Sequence, residues 1–267
     1  MNSTGCAILG ANPRVSTFDG NDFLFNGLGD YWLVRSSQNS IDSSQFGLQI
    51  RMSPCDNSNP SSGTCVRGAA FSTTNNIIAF FVDPETGLIT TTINGDIQSR
   101  DFHIGNYFDN YYMYVNPISV PGTSDIGYSV NIYYAVGNGV NRQFGVILGA
   151  KMGVNAWAVL SDSDFGAVSG LCGTFDGCMD NDFYSDDQMY VNTGDSAENI
   201  YTGFSETWRV QRDESYFGGS DFDQNTWYYQ NYPEYAKNWT PRMDALEVTS
   251  DSAEACKLFA DKSKYLY

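Results

Sequence analysis

The side chains best able to do chemistry are concentrated in Gly170-Leu171-Cys172-Gly173-Thr174-Phe175-Asp176-Gly177-Cys178-Met179-Asp180-Asn181-Asp182-Phe183. Asp176, Asp180, Asn181 and Asp182 place four oxygen-bearing side chains within seven residues around Gly177. A hard cation such as Ca2+ takes six to eight oxygens at about 2.3–2.6 Å, from carboxylates, amides and carbonyls on a tightly turned loop. Gly177 permits a turn sharp enough to point its neighbours inward. The spacing is not that of an EF-hand, which alternates its ligands and closes on a glutamate at the twelfth position. On the residues alone two readings stand, a Ca2+ loop and a solvated acidic turn.

Nucleophilic catalysis with a histidine base has one candidate, His103, because the chain holds a single histidine. It sits in Arg100-Asp101-Phe102-His103-Ile104-Gly105, a strand or strand edge where a hydrogen-bonded or surface histidine is the plainer reading. No Gly-rich phosphate loop precedes a helix, and no G-x-S-x-G run occurs. A glycosidase needs only two carboxylates, and Trp32, Trp157, Trp208, Trp227 and Trp239 could stack on sugars. Aromatics at strand spacing more commonly serve a core, and no glutamate stands in a recognisable catalytic setting. The expectation is a protein that is not an enzyme, with a glycosidase-like activity as the remote alternative.

The six cysteines, at positions 6, 55, 65, 172, 178 and 256, form no C-x2-C pair. An even count without metal-ligand spacing points to disulfides and an oxidising compartment rather than zinc. Cys55 and Cys65 flank a polar loop at two strand ends, so a local disulfide is expected, stabilising by roughly 2–3 kcal/mol on chain entropy. The net charge is −17, from 31 acidic against 14 basic residues. Such a surface repels nucleic acid and anionic lipid and attracts divalent cations and basic partners; it also suits a merely soluble acidic protein. The longest apolar run, Ile77 to Val82, is about six residues, far short of the ~20 that span a membrane. No leader sequence follows Met1, so the expected setting, secreted or the ectodomain of a cell-surface protein, implies a leader missing from this chain. Sequons at Asn2 and Asn238 are candidate glycosylation sites on that route.

Positioning these groups falls to short strands. Phe23–Phe25 and Tyr31–Val34 flank a turn at Asn26–Asp30, and Phe46, Leu48, Ile50 and Met52 alternate on one face. Val66–Phe71 follows Cys65, and Asp83-Pro84-Glu85-Thr86-Gly87 is a strong turn between the strands Ile77–Val82 and Leu88–Ile93. Tyr111–Val115, Tyr128–Val136, Gln143–Leu148 and Ala156–Leu160 continue the pattern, with Ile200–Val210 as a candidate last strand. With 15% aromatics and 26 glycines, the fold class is all-β, an antiparallel sandwich or open barrel. Residues 216–240 are aromatic and irregular, and 252–263 reads as a short helix capped by Asp251 or Ser252. The expected division is a β domain over 1–215 and an extension over 216–267.

Two distant stretches together carry a specific resemblance. Ala11-Asn12-Pro13-Arg14-Val15-Ser16-Thr17-Phe18-Asp19-Gly20 resembles the opening motif of von Willebrand factor type D domains, G-D-P-H-x-x-T-F-D-G. Phe23-Leu24-Phe25-Asn26-Gly27-Leu28-Gly29-Asp30-Tyr31 looks most like the mucin-4-type branch, and residues 170–183 resemble the closing G-L-C-G-N-[FY]-[ND]-G-x4-D-[DF] motif. Gly203–Trp208 and Glu214–Phe217 resemble the segment that follows in that branch, so the likeness covers residues 5 to about 220. The resemblance implies a β-sandwich-like extracellular domain with a structural Ca2+ site. It implies ligands Asp19, Asp176, Asn181 and Asp182, with a backbone carbonyl near Cys178; Asp180 belongs to the same loop, and Thr174 replaces the usual asparagine. It also implies the disulfide Cys6–Cys172. That leaves Cys178 for Cys256, unless Cys256 bonds a residue or chain beyond this one.

Two departures restrict the family's chemistry. Some members cleave themselves under acid between the Asp and Pro of G-D-P-H; here Asn12 lacks the carboxyl and Arg14 replaces the histidine, so no such cleavage is expected. Members that polymerise through C-G-L-C have a leading cysteine where this chain has Ser169, which argues against disulfide multimers through that element. The resemblance implies a structural or adhesive extracellular module, a mucin-like, matrix or filament component, that associates with itself or with other extracellular proteins. The alternative is an extracellular module binding a protein ligand or a glycan.

Overall fold

The structure, a computed structural model, describes residues 5–10, 13–36, 45–56, 63–73, 76–83, 86–98, 104–108, 111–119, 126–134, 141–149, 153–187, 189–192, 195 and 197–217. The strands are β1 (Gly5–Leu9), β2 (Arg14–Ser16), β3 (Asp22–Leu24), β4 (Gly29–Ser36), β5 (Gly47–Pro54), β6 (Thr64–Ser72), β7 (Ile77–Val82) and β8 (Ile89–Ile93). They continue with β9 (Asp96–Ile97), β10 (Ile104–Phe108), β11 (Tyr111–Ser119), β12 (Ile126–Tyr134), β13 (Asn141–Gly149), β14 (Gly153–Val159) and β15 (Val168–Ser169). All neighbours pair antiparallel. An eight-stranded sheet runs β10-β11-β12-β13-β14-β1-β2-β3, and a seven-stranded sheet runs β15-β4-β5-β6-β7-β8-β9. This is the expected antiparallel sandwich, and neither sheet closes into a barrel.

Alternation explains the core. In β1, Cys6 and Ile8 are buried while Gly5 and Leu9 are exposed; in β14, Val154, Ala156 and Ala158 are buried. These side chains, with Phe144, Val146 and Leu148 of β13, meet Leu48, Ile50, Phe71 and Phe80 of the second sheet in one cluster. Phe71 and Phe144 lie 5.4 Å apart between the layers, and Phe80 stacks on Tyr128 at 5.2 Å.

Strands β5 and β6 are buried along their whole length, which one core face cannot explain. A strap that includes Tyr216 and Phe217 crosses the outer face and packs on Ala70 and Ala79. Gly68 makes room for it, since a Cβ there would lie 2.7 Å from the Phe217 ring. Beneath the strap Arg51 pairs with Asp30 through two 2.8 Å bonds, Ser215 donates to Asp30 at 2.7 Å, and the guanidinium lies 4.5 Å from the Phe217 ring. The Ser215 hydroxyl gives the Asp30 carboxylate a further donor, which helps offset the cost of burying the pair.

The segment expected as a last strand is helical. Helix α1 (Ala197–Gly203) leads into a 3-10 turn at Ser205–Trp208, and only a single bridge, Tyr31 to Arg209, keeps strand character. Ile200, Tyr201 and Phe204 are all buried, at a spacing that shares one helical face but would straddle a strand. Phe204 lies 4.9 Å from Phe183 and 6.1 Å from Phe23, so the helix caps the aromatic end of the sandwich. His103, Trp227, Trp239, Cys256, the sequons at Asn2 and Asn238, the expected helix over 252–263 and the extension beyond Phe217 lie outside the described residues.

Candidate functional site

Two elements bring the acidic loop and the opening motif together. The β2–β3 hairpin turns through Thr17–Asn21, closed by Thr17 N–H donating to Asn21 O at 2.8 Å and Asn21 N–H donating to Thr17 Oγ1 at 2.8 Å. Asp19 therefore stands at the hairpin tip. The second element leaves β15 alongside β4, where Leu171 and Cys172 N–H donate to Trp32 O and Leu33 O, each at 3.0 Å. Cys172 is bonded to Cys6 of β1, with a Cα separation of 5.8 Å, and its carbonyl accepts from Phe18 N–H at 3.2 Å. The disulfide and this bond hold the loop against the hairpin, although 166 residues separate the two cysteines.

Asp19 reaches the loop through its backbone. Its carboxylate accepts from the N–H groups of Asp176 at 3.2 Å, Gly177 at 2.9 Å and Cys178 at 3.1 Å. Asp176 accepts from Cys178 N–H at 3.0 Å and Asn181 Nδ2 at 2.7 Å, and Asn181 Oδ1 accepts from Thr174 Oγ1 at 3.0 Å. Asp182 lies deepest, fully buried, with Oδ2 accepting from Thr17 Oγ1 at 2.6 Å and Asn21 Nδ2 at 2.9 Å. Its Oδ1 is buried without a hydrogen-bond partner. Asp180 is exposed and takes no part in these bonds.

The charges are in tension. Burial, first of all, pushes the Asp182 carboxyl up to about 8; the Thr17 and Asn21 hydrogen bonds oppose this, and the charges of Asp19 and Asp176 add to it. Burial likewise raises Asp19 to about 6, against the amides of Asp176 and Gly177 and with the Asp176 charge. An all-oxygen set of this kind, with one buried carboxylate oxygen unsatisfied, has the donor chemistry a hard divalent cation uses. Among the described residues, no three His, Cys, Asp or Glu side chains converge closely enough to hold a metal ion as they stand.

Thr17 and Asn21 are site residues that the sequence reading did not single out. Their signal is local, a hydroxyl four residues before an amide across the Asp19-Gly20 turn. Gly173 is another: its φ is +73°, and a Cβ there would stand 2.1 Å from Asp182 Oδ1. Cys55 and Cys65 are bonded at a Cα separation of 4.9 Å. Cys178 is disulfide-bonded as well, and its expected partner, Cys256, lies outside the described residues.

A model of the von Willebrand factor type D domain matches residues 6–189, which contain both the hairpin and the closing loop. The chain belongs to the von Willebrand factor type D domain family. This type D domain is 24% identical to Mucin-2 of Rattus norvegicus over 270 residues, covering 97% of the chain and 14% of the relative. Against Mucin-2 of Mus musculus it is 24% identical over 208 residues, covering 77% of the chain and 4% of the relative. Against Mucin-2 of Homo sapiens it is 22% identical over 206 residues, covering 77% of the chain and 3% of the relative. The chain thus spans a small part of the curated relatives it matches.

Proposed function

We propose that this type D domain is a non-enzymatic, extracellular structural or adhesive module of a mucin-like, matrix or filament assembly, stiffened at one end by Ca2+ and disulfides. The observation that carries the metal is the buried, unpartnered Oδ1 of Asp182, next to a hairpin that delivers a second carboxylate. Asp19, Asp176, Asn181 and Asp182 would hold the ion, with Thr174 and the Cys178 carbonyl as further donors. The ion would supply charge neutralisation and no chemistry of its own. Relatives named as mucins, and disulfides suited to an oxidising compartment, support the extracellular setting.

Binding to the folded state alone raises stability by RT ln(1 + [Ca2+]/Kd), about 2.7 kcal/mol at a hundredfold excess over Kd. Calorimetry on the non-reduced protein is therefore expected to give a lower Tm in chelator than in Ca2+. Asp176→Ala is expected to abolish the difference. Identical melting curves with and without chelator would remove the metal from this reading.

The alternative, a module that captures a protein ligand or glycan, draws on a cleft of about 1260 Å³ bordered by Trp32, Arg35, Asp186, Trp208 and Tyr216. Stoichiometric binding by a protein that stays monomeric would favour that alternative.

A further inference from the structure

The cleft beside Trp32 sets aromatic rings next to an ion pair that water reaches. Arg35 lies against two indoles, 5.8 Å from the Trp32 ring and 5.1 Å from the Trp208 ring, and its Nη2 donates to Asp186 Oδ1. The two charged side chains stay 34% and 36% exposed. Asp186 is fixed in turn, its N–H donating to Thr207 Oγ1 at 3.0 Å. Tyr216 stands at right angles to Trp32, ring centres 5.2 Å apart. Ser72 Oγ donates to its phenol oxygen at 2.6 Å, which leaves the phenol proton to donate in turn. Trp32, Arg35, Ser72, Asp186, Trp208 and Tyr216 all border the one cleft. An aromatic wall with a few polar groups held in place is the usual form of a small-ligand site.

We propose that this cleft binds a neutral oligosaccharide. The inference rests on the cleft reading above and gives it one class of ligand. Donor and acceptor chemistry selects the occupant. Arg35 only donates and Asp186 only accepts. A ligand that serves both without parting them has to accept and donate at neighbouring atoms, as vicinal hydroxyls do. A carboxylate or sulfate only accepts and would meet Asp186 unpaired; an ammonium only donates and would meet Arg35. Charge also disfavours an anionic sugar: among the described residues, the cleft is bordered by Asp182, Asp186 and Glu214 and by one cation, Arg35. The C–H face of a sugar ring fits the aromatic wall while its hydroxyls meet Arg35, Asp186 and the Tyr216 phenol.

The test is a printed array of neutral, sialylated and sulfated oligosaccharides, probed with the full non-reduced chain. Ca2+ is present throughout, since Asp182 also borders the cleft. Tryptophan-fluorescence titration of the brightest neutral glycan follows. A neutral glycan is expected to bind, and Trp32→Ala to weaken it about tenfold or more. Tyr216→Phe keeps the ring and loses only the hydroxyl; it is expected to weaken binding about threefold or more. Trp157→Ala, on the other sheet, is expected to leave binding unchanged. Melting like the parent's establishes that the variants fold, and if Trp32→Ala melts early, Tyr216→Phe decides. Binding of sialylated or sulfated sugars alone, or neutral binding that survives both Trp32→Ala and Tyr216→Phe, would overturn the proposal. If no sugar binds but polylysine does, and Trp32→Ala abolishes that binding, the ligand class is wrong while the cleft reading stands. If neither sugars nor polylysine bind, both fall.

Discussion

Asp182 concentrates the physics of the site in one side chain. Its carboxyl is held up to about 8, first by burial, whereas an unfolded aspartate titrates near about 3.9. In chelator, the native chain therefore keeps a proton that the unfolded chain releases, so this carboxyl's contribution to stability is full below about pH 4 and is lost as pH rises toward about 8. Asp19, raised to about 6, adds the same sign over the lower part of that window. Denaturant titrations in chelator are expected to give lower stability at pH 8 than at pH 5, with Asp182→Asn flattening the slope. A parent stability that rises across this window would contradict the assignment. Gly173→Ala is expected to cost about 1–3 kcal/mol from its positive φ alone, and more from the clash with Asp182 Oδ1. A thermal melt within error of the parent would show that the carboxylate can move aside.

Among the elements, period-two alternation made the strands legible. Ile77–Val82 forms as read, and the run from Phe46 to Met52 enters β5 at Gly47. The strap was harder, because its residues bury individually against a sheet already formed and leave no periodic trace. Trp208, in the 3-10 turn that precedes the strap, is buried in the same individual way: its Nε1–H donates to Tyr184 O at 3.1 Å, and it is 2% exposed. Trp208→Ala is expected to cost about 3–5 kcal/mol in a denaturant melt. The family match ends at 189, but Phe204, Trp208 and Phe217 complete the packing after it. A chain cut after residue 217 is expected to melt cooperatively where one cut after 189 does not, and calorimetry on the two, both lacking Cys256, decides it.

At the scale of the whole molecule, the two bonded pairs whose partners are both among the described residues differ in reach. Cys55–Cys65 closes a separation of 10 residues and Cys6–Cys172 one of 166. Chain entropy assigns roughly 3 and 5 kcal/mol to them. Replacing both cysteines of a pair by serine is therefore expected to lower Tm more for Cys6–Cys172 than for Cys55–Cys65. The reverse order would mean that the hairpin and closing loop stay together without their covalent link.

The sequence by itself determined the all-β class, most strand positions and the acidic loop, because these depend on local alternation, turn residues and composition. The likeness of two motifs indicated that the hairpin and the loop belong together. Only the tertiary structure decided that Asp19 meets the loop through backbone amides, that Thr17 and Asn21 hold Asp182, and that residues 200–208 coil instead of extending. Each of those outcomes depends on which groups far apart in the chain share a buried space, and burial is a property of the packed molecule rather than of any short run of residues.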